Sequence, residues 1–466
     1  MTVPELIDAR ELRTALTGTL ESGARFVGAW ATADGGWRVA LATVQGTRVL
    51  VCTPAGGRVD SIVQTVGAAV WDEREAHDLY GLEFDGHEPL RTLVDHSAAL
   101  EAWTTPVRGG GVHQVAVGPI HAGVIESGHF RFHCVGDRIL ALDPRLFYKH
   151  RGLERAAEGR GYGQALPYAA RACAACSVAN TVAYAQAVED AVGLWPPAEL
   201  RRQRTLLLEL ERAYNHLNDI GAVCAGVGFA PGSMAFAVLK DRAQELCRQA
   251  FGHRFLFGAV AVGHGPATLD AAQADALRAQ LRELRADAAA AWRDLEFSAS
   301  LQARLDGVGV LSHDRALQFG AVGPAARASG VVRDVRTDSP RLAYMGFVPA
   351  SLPQAGGDVA ARFQIRAAEL EATWELLDGL LSEPLTRSAA TWQEPGGGVG
   401  VGRVESPRGE TVCMVELAAG RVARLHLRSA SYANWPALAD ATAGNLLPDF
   451  PLINKSFELC YACVDR

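Results

Sequence analysis

The sequence predicts an α+β fold, a helical core flanked by small sheets, on three observations. Long segments with helical spacing, rich in Ala, Leu, Arg and Glu, fill the stretch from about Ala169 to Glu296. Short β-rich runs bounded by turn signals come before it and return after Val399. The 466 residues are 49% apolar and 21% charged, near the globular average. That balance fits two to four domains with large cores and excludes disorder, collagen-like repeats and coiled coil.

Taken in order, residues 1–95 form a small α/β module. Its strands are Phe26–Ala31, Trp37–Val44 and Arg48–Cys52, separated by Asp34-Gly35-Gly36 and Gln45-Gly46, which suits an antiparallel sheet. His96–Val112 lacks periodicity, contains Pro106 and holds Gly109-Gly110-Gly111 near its end, so residues 96–112 are expected to be a linker. Residues 113–466 form the second domain. Gln114–Leu142 alternates as short strands with turns at Gly118-Pro119 and Gly136-Asp137. Arg201–Cys224, Ala235–Phe251, Leu269–Leu295 and Asp358–Leu381 have the spacing of long helices, enough for a central bundle. Three β-rich pieces lie between Val399 and Leu427, and Tyr432–Asn445 has the spacing of a short helix. There is no internal repeat.

Charge and hydropathy narrow the function. With 45 basic and 52 acidic side chains the net charge is -7, so nucleic acid is not the expected partner. Met1 to Arg13 carries acids and arginines where a signal peptide has a basic start and an apolar run, which points to a cytoplasmic chain. The longest apolar candidate, Phe255 to Val262, is too short to span a bilayer, so any membrane association is expected through partners.

Of nine cysteines, four form two C-x-x-C pairs, Cys173/Cys176 and Cys460/Cys463, with 283 residues between them. Zinc ribbons bring their pairs together within about 15–20 residues, so that motif does not apply. For either pair alone, a structural role, as a buried zinc site or as plain core cysteines, is as good a reading as a functional one. Two pairs together favour a four-thiolate site, typical of zinc or iron-sulfur and less commonly nickel. If Cys173 begins the helix running towards Val192, then Cys176 and Asn180 share its face, and the helix amino terminus favours thiolate.

The segment Tyr168-Ala-Ala-Arg-Ala-Cys173-Ala-Ala-Cys176-Ser-Val-Ala-Asn180 resembles the first metal motif of nickel-iron hydrogenase large subunits, and Lys455-Ser-Phe-Glu-Leu-Cys460-Tyr-Ala-Cys463-Val-Asp-Arg466 resembles the second. Gly118-Pro119-Ile120-His121, Glu126-Ser-Gly128-His129-Phe130-Arg131-Phe132, His150-Arg151-Gly152-Leu153-Glu154, Glu209-Leu-Glu211-Arg212, Asn215-His216-Leu217 and Asp358-Val-Ala-Ala-Arg362-Phe363 follow the order seen in membrane-associated hydrogenases and the 49 kDa-type subunit of respiratory complex I. Trp71-Asp-Glu-Arg-Glu75-Ala-His-Asp78-Leu-Tyr-Gly81 and Gly86-His87-Glu-Pro89-Leu90-Arg91 look like the 30 kDa-type subunit. Fusion of the two modules is the arrangement of the formate hydrogenlyase large subunit.

The resemblance implies a hydrogenase large-subunit-like second domain in which Cys173, Cys176, Cys460 and Cys463 carry nickel, and two of them bridge to an iron with cyanide and carbon monoxide ligands. Such a site interconverts hydrogen with protons and electrons. It further implies that Arg408, in Pro407-Arg408-Gly409, sits above the open metal position. Glu126 lies near the proton-transfer glutamate of the family, with spacing that differs by a residue. Asn180 and His129 would lie beside the ligands. Glu189, 13 residues beyond Cys176 and about 220° round an ideal helix, is expected in a structural ion pair instead. His121 aligns with a quinone-binding histidine of complex I, whereas His87, His150 and His216 are expected to make packing or supporting hydrogen bonds. The run Asp72-Glu73-Arg74-Glu75 is most simply a charged face, or a partner interface in a subunit of this type. The remaining cysteines, Cys52, Cys134, Cys224, Cys247 and Cys413, are widely spaced, so no iron-sulfur cluster is expected in this chain. Electrons would pass to an iron-sulfur small subunit, and membrane subunits would hold the complex on the cytoplasmic face of the inner membrane. Maturation by removal of a tail after the last cysteine is expected either not to occur or to be complete.

Three positions depart from the hydrogenase pattern: Ala174 for Gly, Asn180 for His, and Glu458-Leu459 for Asp-Pro. Asn180 is what complex I has there, and a neutral amide does not titrate near pH 7. Against complex I, the four thiols are present and Ala174 replaces its quinone-binding tyrosine. The competing readings are a nickel-free complex I-like subunit in quinone or carrier electron transfer, and a structural subunit that has lost the metal chemistry.

Overall fold

The structure, a computed structural model, describes residues 2, 4–121, 126–339, 341–353, 355–391 and 396–466. Its first unit is a four-stranded sheet of β1 (Pro4–Leu6), β2 (Arg25–Ala31), β3 (Trp37–Thr43) and β4 (Gly46–Cys52), with α1 (Leu12–Glu21) packed on it. The order is β1-β4-β3-β2, and only β1 runs parallel to its neighbour. The three antiparallel strands fall within two residues of their expected bounds, and β1 is an addition.

Strand alternation divides this sheet between two cores. Trp37, Val39, Leu41 and Leu50 pack with Leu12 and Leu16 of α1. Val27, Trp30, Ala40 and Val49 point the other way and meet Val401, Val412 and Met414 of a later sheet. The first unit is thus buried on both faces, one of them by the second unit.

A parallel pair, β5 (Arg58–Asp60) and β6 (Glu83–Asp85), brackets α2 (Val70–Tyr80). The Asp72–Glu75 run on α2 is not a charged face. Its three acids are buried, Asp72 and Glu75 in the seam between the two units, and each has fixed partners. Asp72 accepts from Ala29 N–H at 3.1 Å and Arg428 Nε at 3.0 Å. Glu73 accepts from Ser61 Oγ and Ile62 N–H and meets His87 Nδ1 at 2.7 Å. Glu75 accepts two bonds from Arg466 Nη2, and Arg74 donates to the carbonyls of Arg91 and Thr92.

Residues 96–112 carry one 3-10 turn, Leu100–Ala102, and are fastened rather than free. Thr105 donates to Asp143 from both N–H and Oγ1, and the Arg145 guanidinium lies 4.7 Å over the Trp103 ring. Then follow β7 (Val112–Val117), β8 (His129–Val135) and β9 (Arg138–Arg145), an antiparallel meander. Helices α3 (Leu153–Ala157) and α4 (Tyr162–Arg171) lead to α5 (Ser177–Ala191).

The bundle forms around α6 (Ala198–Gly226), whose neighbours include α7 (Ala230–Phe251), α13 (Val359–Leu380) and α15 (Phe450–Phe457), with α8 (Ala271–Glu296) against α7 and α13. The four helices expected from spacing are α6, α7, α8 and α13, shifted by a few residues. Short helices α9 (Ala299–Leu305), α10 (His313–Gln318), α11 (Gly323–Ala328) and α12 (Val335–Asp338) connect α8 to α13, and β10 (His264–Gly265) pairs with β11 (Ser388–Ala389).

The three returning β pieces are one antiparallel sheet, β12 (Gly398–Ser406), β13 (Gly409–Ala418) and β14 (Arg421–Arg428), followed by α14 (Ala430–Thr442), packed against β9, and α16 (Ala462–Asp465). β12 alternates glycine with larger residues, and α5 explains why. A Cβ on Gly398, Gly400 or Gly402 would strike the carbonyls of Ala191, Ala187 and Ala183 respectively, well inside contact distance. The helix therefore lies directly on strand backbone, with three glycines at period two facing one helix stripe at period four. Among the described residues no helix is long and apolar enough to cross a membrane.

Candidate metal centre

Both cysteine pairs sit on backbone held by the bundle. The first lies in the turn between α4 and α5, so Cys173 does not begin the helix and Cys176 is its N-cap. Two of the helix's unsatisfied N–H groups, Val178 and Ala179, are taken by the Glu211 carboxylate of α6 at 2.6 and 3.0 Å. One turn along α6, Asn215 donates to the carbonyl of Ala175 at 2.7 Å. The second pair follows α15, which ends at Glu458 in a left-handed conformation with φ 49°. Cys460 N–H donates to Ser431 Oγ at 2.9 Å. Arg151 joins the two loops: its guanidinium donates to the carbonyls of Arg171 and Ala172 on one side and Ala462 on the other, all within 2.9 Å.

The result is a convergence of four sulfurs. Those of Cys173, Cys176 and Cys463 lie within 4.8 Å of one another, and Cys460 Sγ is 3.2 Å from Cys173 Sγ. Three of the four residues are buried and Cys460 is partly so. Thiols this close cannot all ionise without a cation. Donors on Cys173 and Cys463 hold Cys460 well below the usual thiol range, while the Cys173 contact pushes Cys176 up to about 12. A soft divalent metal removes that conflict, and four sulfurs match the ligand set such a metal takes.

Arg408 lies against this cluster, in the turn joining β12 to β13. Its Nη1 donates to Cys176 Sγ at 3.3 Å and to Asn215 Oδ1 at 3.0 Å, its Nη2 is 3.5 Å from Asp219 Oδ1, and its Nε donates to the Glu458 carbonyl. Burial works against its charge, but Asp219 and the sulfurs of Cys176, Cys460 and Cys173 hold it protonated well above its ordinary range. Glu211, Asn215 and Asp219 therefore form a stripe at i, i+4 and i+8 on α6 that addresses the first pair and Arg408. Their spacing was available in the sequence, but their direction was not.

The other expected residues divide. The Glu126 carboxylate accepts from Ala462 N–H at 2.7 Å, beside the second pair and partly exposed. Asn180 is fully buried one turn beyond Cys176, and both its side-chain polar atoms lack partners among the described residues. Such an orphaned amide costs about 1–3 kcal/mol and is what a site built around a further group leaves behind. His129 Nδ1 bonds the Gly118 carbonyl at 3.1 Å and its ring meets Trp103 edge-on. His121 Nε2 is tied to the Gly128 carbonyl at 2.8 Å. Glu189 forms the expected ion pair, with Arg204 across to α6 at 2.6 Å.

A second cluster, Glu75, Glu154 and His426, also has metal-ligand spacing. Two guanidiniums already fill its electrostatic role: Arg466 bonds both carboxylates and Arg424 is 3.2 Å from Glu154.

Residues 227–391 and 385–466 match the respiratory-chain NADH dehydrogenase 49 Kd subunit, and residues 33–109 match its 30 Kd subunit. Formate hydrogenlyase subunit 5 of Escherichia coli K12 is 31% identical over 438 residues, covering 87% of this chain and 76% of that protein. Hydrogenase-4 component G of the same organism is 31% identical over 444 residues, covering 87% and 75%. A chain of the membrane-bound sulfane sulfur reductase, an archaeal respiratory membrane complex, superposes with TM-score 0.71 at 24% identity, covering 76% of this chain and 99% of that one. That structural likeness concerns the fold.

Proposed function

Because the chain belongs to the membrane-bound hydrogenase large subunits, in which complex I 30 kDa-like and 49 kDa-like domains are fused, we propose that it is the catalytic large subunit of a hydrogenase complex interconverting H2 with protons and electrons. Cys173, Cys176, Cys460 and Cys463 would hold the nickel of a nickel-iron centre, with the iron carrying cyanide and carbon monoxide. When bound, such a centre supplies a sulfur-ligated open position for heterolytic splitting of hydrogen. The observation that carries the reading is the convergence of all four thiols beneath one buried guanidinium.

The chain's own residues prepare that position. Arg408, fixed by Asn215, Asp219 and the Glu458 carbonyl, holds a permanent positive charge on Cys176 Sγ and balances thiolate charge. Glu126, anchored on Ala462 N–H and partly exposed, is placed to carry protons between the second pair and solvent. An iron-sulfur small subunit would take the electrons, and membrane subunits would hold the assembly at the cytoplasmic face of the inner membrane. Metal analysis of the purified complex tests the reading: nickel and iron near one each are expected, together with hydrogen-dependent dye reduction. A complex free of nickel that still transfers electrons overturns it.

A further inference from the structure

Beneath the turn that carries Arg408 lies a buried ionic network with an uneven count. Three guanidiniums, Arg212, Arg327 and Arg336, face four carboxylates, Glu209, Asp334, Glu369 and Glu405, all buried. Arg327 reaches Glu369 at 2.7 Å, Glu405 at 2.9 Å and Asp334 at 3.2 Å. Arg336 pairs with Asp334 at 2.7 Å and lies 3.7 Å from Glu209, and Arg212 pairs with Glu209 at 3.1 Å. With every acid ionised the set carries one net negative charge in a dry interior, which protonating one carboxylate removes.

Glu405 is the member with the weakest hold, and with Asp334 it is one of two that line a water-accessible cavity. Its side chain has Arg327 and the Val335 N–H as partners. Across the β12–β13 ladder it faces a second buried acid, Glu410, whose own partners are Arg25 and Arg403. It also lines a cavity of about 320 Å³ in the seam between the two units, with Gln64, Thr65, Gln318 and Arg333 on the walls. Inward, the network continues through Glu369 to His216 Nε2 at 3.0 Å. His216 Nδ1 is buried without a partner among the described residues, and its neighbours on α6, Asn215 and Asp219, hold Arg408.

We infer that Glu405 is a proton-exchange residue: it takes a proton from water in the seam cavity, keeps it, and so sets the charge of the buried network that reaches His216 beneath the metal centre, Arg327 between Glu405 and Glu369 relaying charge and not the proton. The step transfers one proton from a hydronium ion to the Glu405 carboxylate, leaving water and a neutral acid, and takes the network from net −1 to neutral. Burial and Asp334 push the Glu405 carboxyl up to about 7 against the pull of Arg327, Arg336 and Arg212, so both states are populated near neutrality. Burial keeps His216 neutral, with Nδ1 free to accept. Use of this port in turnover rests on the hydrogenase reading, whereas the titration does not.

Infrared difference spectroscopy of the full chain, without metal, tests the port directly. A protonated-carboxyl C=O band should grow as pH falls through about 7, shift in D2O, vanish in Glu405→Gln and move in frequency in Glu405→Asp. Thr65→Trp, at the cavity wall, should slow deuterium exchange of that band at least tenfold. In the loaded complex Glu405→Gln should lower hydrogen-dependent dye reduction about 10²-fold with nickel unchanged. The inference fails if no carboxyl band titrates across neutrality, if the band survives Glu405→Gln, or if Thr65→Trp leaves exchange unaltered. A titrating band in a chain that binds no nickel would instead separate the port from the hydrogenase reading.

Discussion

The cysteine centre and the Glu75/Glu154 cluster are assembled alike and balanced oppositely. Each gathers side chains from distant parts of the chain into a buried knot. In the seam, Glu75 and Glu154 meet Arg466 and Arg424, and the protein supplies its own counter-charge. In the centre, four thiols face a single guanidinium, so they remain short of positive charge until a cation arrives. The lesson is that ligand-like spacing alone does not mark a metal site; the deciding quantity is whether the cations are already covalently present.

Removing one member from each knot breaks the comparison most sharply. Cys460→Ser leaves an incomplete thiolate set, so bound nickel and hydrogen-dependent dye reduction should both disappear while far-ultraviolet circular dichroism stays that of the wild type. The seam should respond in stability instead. Arg466→Met strands the buried Glu75 carboxylate and leaves Glu154 with Arg424 as its remaining guanidinium, and should lower the unfolding free energy by about 3–5 kcal/mol in guanidinium titrations. If Arg466→Met is silent in stability, the seam is not self-balanced as described.

A change that keeps the charge is a gentler probe. Arg408→Lys preserves the cation but not the planar fork shared among Cys176, Asn215 and the Glu458 carbonyl, so nickel should stay while turnover falls about 10²-fold. Equal loss of nickel would make Arg408 a structural support only.

Acidity gives the smallest and most graded effect. Burial alone would raise Glu154, but Arg466, His426 and Arg424 hold it well below its ordinary 4.5. A depressed acid contributes stability that is complete above about 4.5 and is lost as pH falls through its folded value. The wild-type seam should therefore hold its unfolding midpoint down to that pH. In Arg466→Met the Glu154 carboxyl loses the first of the charges that hold it down and rises, so the deficit relative to wild type should shrink as pH is lowered. A deficit that grows with acid would refute the charge account.

What the sequence disclosed follows the same division between local and distant causes. Strands bounded by Gly and Asp turns, and helices with contrast between faces, were legible to within a few residues. Helix α5 was legible at its end but its start was set four residues early, at Cys173, because all fifteen of its residues are buried and leave no polar face to mark where it begins. The two C-x-x-C pairs stood out through spacing and resemblance, and the fold brings their sulfurs together. The Asp72–Glu75 run was misplaced on the surface, since sequence shows a charge but not the Arg428 or Arg466 that buries it. Arg151, which ties the cysteine loops together, stood in a recognised motif with nothing local to reveal its reach.

The glycine track on β12 sets a tolerance for the whole centre. Cys176 caps the helix that rests on Gly398, Gly400 and Gly402, so where that sulfur stands depends on how closely a helix can lie on a bare strand. A methyl group at Gly402 would lift α5 off the strand and carry Cys176 away from the sulfurs of a segment that has not moved. The accuracy of the site is therefore guarded by residues with no chemistry of their own, and a search for function confined to reactive side chains would pass over them.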